Sequence, residues 1–215
     1  MIKVVELFAG VGGFRLGLEN TELNRFEVTW ANQWEPGKKV QHAFDCYASR
    51  FETGKHINED IAEVTDREMA ETNADLIVGG FPCQDYSVAR SLNGELGISG
   101  KKGVLFWEIT RFIQNTIPKY VLLENVDRLL KSPSKQRGRD FAVMLSTLHE
   151  LGYDVEWRVI NAAEYGNAQR RRRIFIFAYR RNMTYGKEMA KLSGEDFLYN
   201  KGMFARAFPV KNEPY

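Results

Sequence analysis

Cysteine is scarce in this chain. Its 215 residues hold two, Cys46 and Cys83, far apart and in no framework spacing. That excludes a disulfide scaffold and suits a reduced, cytosolic setting with at most one functional thiol. No apolar run approaches the roughly 20 residues that span a bilayer, so no membrane partner is expected. The start, Met1-Ile2-Lys3-Val4-Val5-Glu6, reads as a strand and lacks the apolar stretch and cleavage site of a signal peptide. The three histidines, His42, His56 and His149, have no ligand spacing, so no metal site is expected. Excess charge is also missing: 30 Lys plus Arg against 28 Asp plus Glu leave +2. Any case for a polyanionic partner therefore rests on local clusters. There is no internal repeat and no low-complexity segment.

What is present suits one packed domain with a small appendage: 44% of the residues are hydrophobic. Strand-like and helix-like stretches alternate. Strands are expected over residues 2–8, 26–32, 57–61, 76–79, 120–124, 153–160 and 173–179. Helices are expected over 12–20, 36–50, 104–116 and 141–151, the second opened by Pro36, the third stopped before Pro118 and the last closed by Gly152. The run Tyr-Val-Leu-Leu at 120–123 is typical of a central parallel strand. This alternation predicts an α/β fold, a doubly wound and mostly parallel sheet with helices on both faces. Two regions break it. Residues 84–103 hold four glycines and no steady period, the mark of a lid or a disordered loop. After Arg180 strand and helix signals lapse.

Candidate chemistry sits at strand ends. Cys83 follows the apolar strand 75–78, in Gly79-Gly80-Phe81-Pro82-Cys83-Gln84. Open α/β sheets bind ligands at that carboxyl edge, and a thiolate there is a nucleophile when its pKa is lowered or a base is near. Glu124-Asn125-Val126 and residues 169–173 offer an acid and cations to the same edge. Glu6-Leu7-Phe8-Ala9-Gly10-Val11-Gly12-Gly13-Phe14 joins the first strand to the first helix, and its glycines permit positive φ and close backbone approach. It is neither the dinucleotide fingerprint, since residue 15 is Arg, nor a P-loop, since no lysine follows. A nucleoside with a carboxylate or amine tail suits it, facing helix N-terminal amides; a tight turn with no ligand is the even-odds alternative. Asn32, Gln33 and Glu35 end the second strand, where ribose hydroxyls bind in this architecture, and Trp34 offers an aromatic face. Asp60-Ile61 is placed to accept from an adenine amine and pack on its ring; capping a helix is the common alternative role of such an acid.

Five segments in this order resemble the DNA (cytosine-5) methyltransferases: Phe8-Ala9-Gly10-Val11-Gly12-Gly13-Phe14, Asp60-Ile61, Gly80-Phe81-Pro82-Cys83-Gln84 with Ser87, Glu124-Asn125-Val126, and Gln169-x-Arg171-x-Arg173, the last led by Asn-Ala-Ala-Glu-Tyr-Gly at 161–166. The resemblance covers about residues 2–180. It implies the Rossmann-like fold of S-adenosylmethionine-dependent methyltransferases, with that cofactor in the glycine turn and a flipped cytosine of double-stranded DNA beside Cys83. The activity it implies is methyl transfer to carbon 5 of cytosine, in the bacterial or archaeal cytosol and within a restriction-modification system. Phe8, Ala9, Gly10, Gly12, Gly13, Pro82 and Leu105 would line the cofactor site, with Phe14 and Trp34 on the adenine and Asp60 on its amine. The family often has Glu before the Trp of the second motif; here Gln33 stands there and Glu35 follows, which leaves the ribose partner open.

Carbon 5 of cytosine is a poor nucleophile until a thiolate adds at carbon 6. Cys83 is the thiolate for this step, since Cys46 lies in a helix pattern. Glu124 ends an apolar strand, where desolvation raises a carboxyl pKa, and so suits donation to ring nitrogen 3. Asn125 either holds the local turn or contacts the base edge. Arg173 either pairs with Glu124 or approaches the cytosine carbonyl oxygen. Arg171, two residues away on the same strand face, would serve phosphate or base, while Arg170 and Arg172 face outward. Residues 84–103 suit a lid over an extruded base, where Gln84, Ser87, Arg90, Lys101 and Lys102 would meet the DNA. The basic loop 131–139 is a weaker candidate for the DNA backbone. Residues 1–180 are thus the expected catalytic and cofactor domain, and 181–215 a linker or the start of a target-recognition region. The family's chain usually runs on through that region and further motifs. The expectation is a truncated chain, or one subunit of a split enzyme whose partner supplies the rest. The alternative is a noncatalytic cofactor- or DNA-binding subunit. A tRNA cytosine methyltransferase of the same chemistry is a third reading.

Overall fold

A computed structural model describes residues 1–81, 105–132 and 136–210. Seven strands form one sheet: β1 (Ile2–Leu7), β2 (Phe26–Asn32), β3 (Lys55–Ile57), β4 (Leu76–Gly80), β5 (Tyr120–Val126), β6 (Tyr153–Asn161) and β7 (Arg172–Arg180). Their order is β3-β2-β1-β4-β5-β7-β6. β1 to β5 pair in parallel, and β7 runs antiparallel between β5 and β6. The mostly parallel α/β sheet anticipated from the alternation is therefore present. Its order reverses between β1 and β4, which opens the crevice where such sheets bind ligands.

Alternation along the strands divides the core into two layers. Val5, Leu7, Ile77, Val121 and Leu123 face one side, joined by Phe106, Ile109, Phe112 and Ile113 of helix α4 (Leu105–Thr116) and by Phe141, Met144 and Leu148 of α5 (Arg139–Glu150). Val4, Val28, Leu76 and Val78 face the other, covered by α1 (Gly13–Glu19) and by Tyr47 and Phe51, in and just after α2 (His42–Arg50). On α4 the buried positions recur every three or four residues, as a helix lying on a sheet requires. Ile117 at φ 47 then turns the chain before Pro118.

Several boundaries differ from expectation. The second helix starts at His42, not near Pro36, because residues 35–38 close into a turn. There Lys38 N–H donates to the Glu35 carbonyl, Gly37 takes φ 77, and the Gln41 side chain bonds both the N–H and the C=O of Glu35. The third strand is Lys55–Ile57, and Ile61 belongs to a 3-10 turn, Ile61–Glu63, capped by Asp60. Helix α3 (Asp66–Glu71), opened by a Thr65–Glu68 capping box, was not anticipated. Beyond Arg180, where helix signals lapse, the chain forms α6 (Thr184–Met189), a π-helical turn (Asp196–Lys201) and α7 (Met203–Ala207). These pieces are too short for a periodic signature. They are held by β6 instead: Arg158 donates to the carbonyls of Leu198, Phe204 and Phe208, and Glu156 accepts from the Tyr185 hydroxyl and the Phe204 N–H.

Candidate active site

The sheet registers bring nearly every described candidate segment to one edge. Ile57 pairs with Asn32, Asn32 with Leu7, and Leu7 with Gly79. Gly80 pairs with Glu124, and Val126 with Arg173. The glycine turn, residues 32–35, Asp60, the end of β4, Glu124 and Arg173 thus follow one another along the carboxyl ends of the parallel strands.

The glycine turn has a built backbone. Phe8 (φ 54), Gly10 (φ 58) and Gly12 (φ 88) all take left-handed conformations. A Cβ on Gly12 would lie 2.3 Å from the Phe51 ring, so the turn seats on α2 at this point, whereas among the described residues Cβ atoms on Gly10 or Gly13 would meet nothing within 4 Å. One side of the turn is packed and the other is open. Gln33 fixes the open side: its Oε1 accepts the Gly10 N–H at 2.7 Å. Glu35 is half-buried, and its N–H donates to Gln41. Phe8, Phe14 and Trp34 are half-buried, Phe8 packing on the α4 layer and Phe14 on the α1 layer, and Ala9 is buried. Leu105, half-buried, opens α4.

Asp60 uses one oxygen, Oδ1, to accept the Ala62 N–H at 3.1 Å, so the capping role is present. Ile61 is fully buried and belongs to the core. The loop carrying both is clamped by Arg111 of α4, which donates to the carbonyls of Ile61 and Val64, both at 2.9 Å, and pairs with Asp66 at 2.8 Å. Sequence reasoning missed Arg111, because an arginine in an amphipathic helix reads as a solvated charge.

On the other side of the crevice, Glu124 Oε1 meets Arg173 Nε at 2.7 Å, with the two side chains 23% and 24% exposed. Of the two placements read for Arg173, the pair with Glu124 is the one formed. The Arg173 guanidinium covers the Glu124 carboxylate, and water still reaches the pair. The pair is diagonal across β5 and β7, since Arg173 lies opposite Val126 and Glu124 opposite Phe175. Gly80 makes room for the acid; a Cβ there would approach Glu124 Oε2 to 3.2 Å. Asn125 is buried, donates to the Phe81 carbonyl at 3.0 Å and accepts the Val126 N–H at 2.8 Å. It holds the backbone at the end of β4, the turn-holding role read for it.

β7 is bounded at Arg172, but the ladder to β6 continues one residue further. Arg171 is exposed, and its carbonyl accepts the Ala162 N–H. Arg172, read as outward and solvated, pairs with Asp127 at 3.2 Å. Pro82, Cys83, Gln84, Ser87, Arg90, Lys101 and Lys102 lie outside the described residues. Among the described residues no cluster of three or more His, Cys, Asp or Glu side chains is placed to hold a metal ion, and no helix is long and apolar enough to cross a membrane. A groove of about 340 Å³ between Leu145, His149, Asp154 and Trp157 lies at the opposite, amino edge of the sheet.

Beneath the glycine turn lies a buried polar group that sequence reasoning passed over. Glu6 is fully buried; Oε2 accepts the Tyr47 hydroxyl at 2.9 Å and Oε1 the Arg15 N–H at 3.4 Å. Burial pushes its carboxyl up to about 7. Burial first, and then the Glu6 charge, push the Tyr47 phenol upward as well. The Arg15 guanidinium turns away from Glu6 to Glu19 (2.8 Å), the Thr53 carbonyl (3.0 Å) and Thr53 Oγ1 (2.7 Å), and lies over the Phe51 ring. An acid inside a motif quoted for its glycines gave no signal of its own; only the α2 packing reveals it.

Comparison with known proteins agrees with this geometry. The family model for C-5 cytosine-specific DNA methylases matches residues 2–209. The Type II methyltransferase M.Sau3AI of Staphylococcus aureus is 73% identical over 211 residues, 98% of this chain and 51% of that protein. M.HhaI of Haemophilus parahaemolyticus is 31% identical over 183 residues, 85% of this chain and 50% of its own. The chain thus spans about half the length of these curated relatives. Among solved structures, a Spodoptera frugiperda DNMT2 mutant superposes with TM-score 0.66 at 22% identity, covering 86% of this chain and 51% of that one. A putative Escherichia coli prophage DNA modification methyltransferase gives TM-score 0.65 at 21% identity, covering 99% and 56%. With its described motifs gathered at one crevice and nearly its whole length matched, the chain belongs to the C-5 cytosine-specific DNA methylase family.

Proposed function

We propose that this chain carries the catalytic half of a type II DNA (cytosine-5) methyltransferase of a bacterial restriction-modification system, acting in the cytosol. Its substrate is cytosine in double-stranded DNA and its methyl donor S-adenosylmethionine. The observation that carries this is the alignment along one sheet edge of the open glycine turn, Asp60 and the Glu124–Arg173 pair. The turn suits a nucleoside cofactor, being open where Gly10 and Gly13 leave space and rigid where Gly12 seats on Phe51. Phe8, Phe14, Trp34 and Leu105 would enclose the adenine, with the second Asp60 oxygen on its amine. Gln33 already holds Gly10, which leaves its amide nitrogen or Glu35 for the ribose.

S-adenosylmethionine, when bound, supplies a methyl on a sulfonium, the electrophile for carbon 5 of cytosine. Cys83 adds as a thiolate to carbon 6 of an extruded base, which builds nucleophilic character at carbon 5. Glu124 donates a hydrogen bond to ring nitrogen 3, and Arg173 steadies that carboxyl while offering its remaining N–H groups to developing charge on the base. Once carbon 5 carries the methyl, loss of its proton to water and breaking of the carbon 6–sulfur bond, which returns the Cys83 thiolate, restore the aromatic ring. Gln84, Ser87, Arg90, Lys101 and Arg171 would grip the strand backbone.

The decisive measurement is methyl transfer to cytosine-containing duplex DNA, by the chain alone and with a polypeptide supplying the other half of its relatives' length. We expect transfer in at least the complemented sample, none with Cys83→Ser, and a covalent complex between wild type and a 5-fluorocytosine duplex. Full activity in Cys83→Ser removes the nucleophile assignment. The half-length coverage favours one second reading, a noncatalytic cofactor- or DNA-binding subunit; cofactor binding without transfer in either sample selects it.

A further inference from the structure

The basic stretch 131–139 has no place in the chemistry above, yet the fold sets it beside the crevice. β5 ends at Val126 and runs straight into a 3-10 turn, Asp127–Lys131, whose exposed cations are Arg128 and Lys131. Arg137 and Arg139 lie exposed where α5 begins. β6 runs the same way as β5, because β7 is antiparallel to both. The connection from β6 to β7, with Arg170 and Arg171 exposed, therefore lies at the same carboxyl edge. None of these six cations pairs with an acid among the described residues. We propose that this edge is a second contact to the DNA backbone, a cationic shelf for phosphates flanking the target base on the β6 side of the crevice.

Three contacts build the shelf. Arg172 pairs with Asp127 at 3.2 Å, which ties the start of β7 to the 3-10 turn and neutralises that acid. The Ser132 carbonyl accepts the N–H groups of Gly138 (3.1 Å) and Asp140 (3.4 Å), so the start of α5 returns to the end of the 3-10 turn. Beneath, Ser132 Oγ donates to Asp140 Oδ2 at 2.6 Å, and both residues are buried. A buried serine–aspartate bond under exposed cations fixes where they stand, which lowers the ordering cost of binding. Glu164 is the exposed acid nearest in sequence to Arg170, and Asn161 Nδ2 donates to it at 3.0 Å. Charge selects a polyanion. The whole chain has an excess of only +2, so six unpaired cations make this edge the basic pole of a chain otherwise richer in acid. Spacing selects a strand over a lone anion. Neighbouring strands stand about 4.8 Å apart, so from β5 to β6 the cations spread over roughly 10 Å. That matches about three nucleotides of one strand at about 3.4 Å each.

This inference rests on duplex DNA being the substrate, and the test separates the shelf from the methylation chemistry. Fluorescence anisotropy with a duplex of about 30 base pairs, from about 50 to 200 mM salt, gives the slope of log K against log salt. Arg128→Gln, Lys131→Gln, Arg137→Gln and Arg139→Gln combined should flatten that slope by about three to four, since each phosphate contact contributes about 0.9. The flattening should be equal on a duplex without cytosine, because phosphate contacts carry no sequence information. Lys187→Gln with Lys191→Gln, two exposed cations in and after α6, should leave the slope unchanged. An unchanged slope in the quadruple variant overturns the shelf, even where wild type methylates cytosine. So does the absence of wild-type binding to either duplex at the lowest salt. A quadruple variant that keeps the slope but no longer binds a polypeptide supplying the rest of its relatives' length marks a protein interface, and overturns the shelf too. Failure of methylation with the flattening intact sinks the cytosine-5 reading and leaves the shelf standing.

Discussion

At the scale of single residues, two acids at neighbouring strand ends differ in surroundings. Glu6 is fully buried and, among the described residues, has no direct cation, whereas Glu124 has both water and a guanidinium beside it. Because burial lifts the Glu6 carboxyl from 4.5 to about 7, the folded protein holds this proton more tightly than the unfolded chain. The stability it confers is complete below about pH 4.5 and is lost as pH rises to about 7, a change on the order of 3 kcal/mol. Glu6→Gln should therefore flatten the stability profile between those values and raise the urea midpoint at pH 8. A steeper profile in the variant would contradict this sign. Glu124→Gln keeps the shape of the acid but loses its transferable proton, and methylation should fall by about 10²- to 10⁴-fold at little change in cofactor affinity. Single-turnover transfer with calorimetric titration separates the two effects.

Between elements, loops are fixed by long side chains reaching across the crevice. Arg111 holds the Asp60 loop through two carbonyls and Asp66. Arg111→Ala leaves those carbonyls without their donor and should cost about 1–3 kcal/mol in chemical denaturation. It should also weaken S-adenosylmethionine binding, because Asp60 loses its seat. Gly12→Ala adds a methyl into the Phe51 ring at a φ of +88, so melting temperature and cofactor binding should both fall. These interactions mark the limit of sequence reading. Long apolar strands such as β4 and β5 announce themselves by composition. The three residues of β3 carry no such signal, and the turn at 35–38 depends on Gln41 folding back. Glu6 and Arg111 looked ordinary because their importance lies in partners distant in sequence.

For the molecule as a whole, the segment beyond Arg180 is attached chiefly through β6. Arg158 accounts for three carbonyl bonds and Glu156 for two more contacts. Arg158→Ala should expose residues 196–208 to limited proteolysis while the sheet stays intact; uniform resistance would show that Phe204 and Ala205 burial suffices.

The sequence by itself determined the alternating architecture, the family and the order of the motifs, because apolar period and glycine-punctuated strand ends are local properties of the chain. Tertiary structure decided which of those residues meet. Strand register set Glu124 diagonally across from Arg173. Packing of α2 turned an unremarked Glu6 into a buried carboxyl beneath the cofactor turn. Pairing, burial and desolvation depend on distances between residues far apart in the chain, and only the folded backbone fixes those distances.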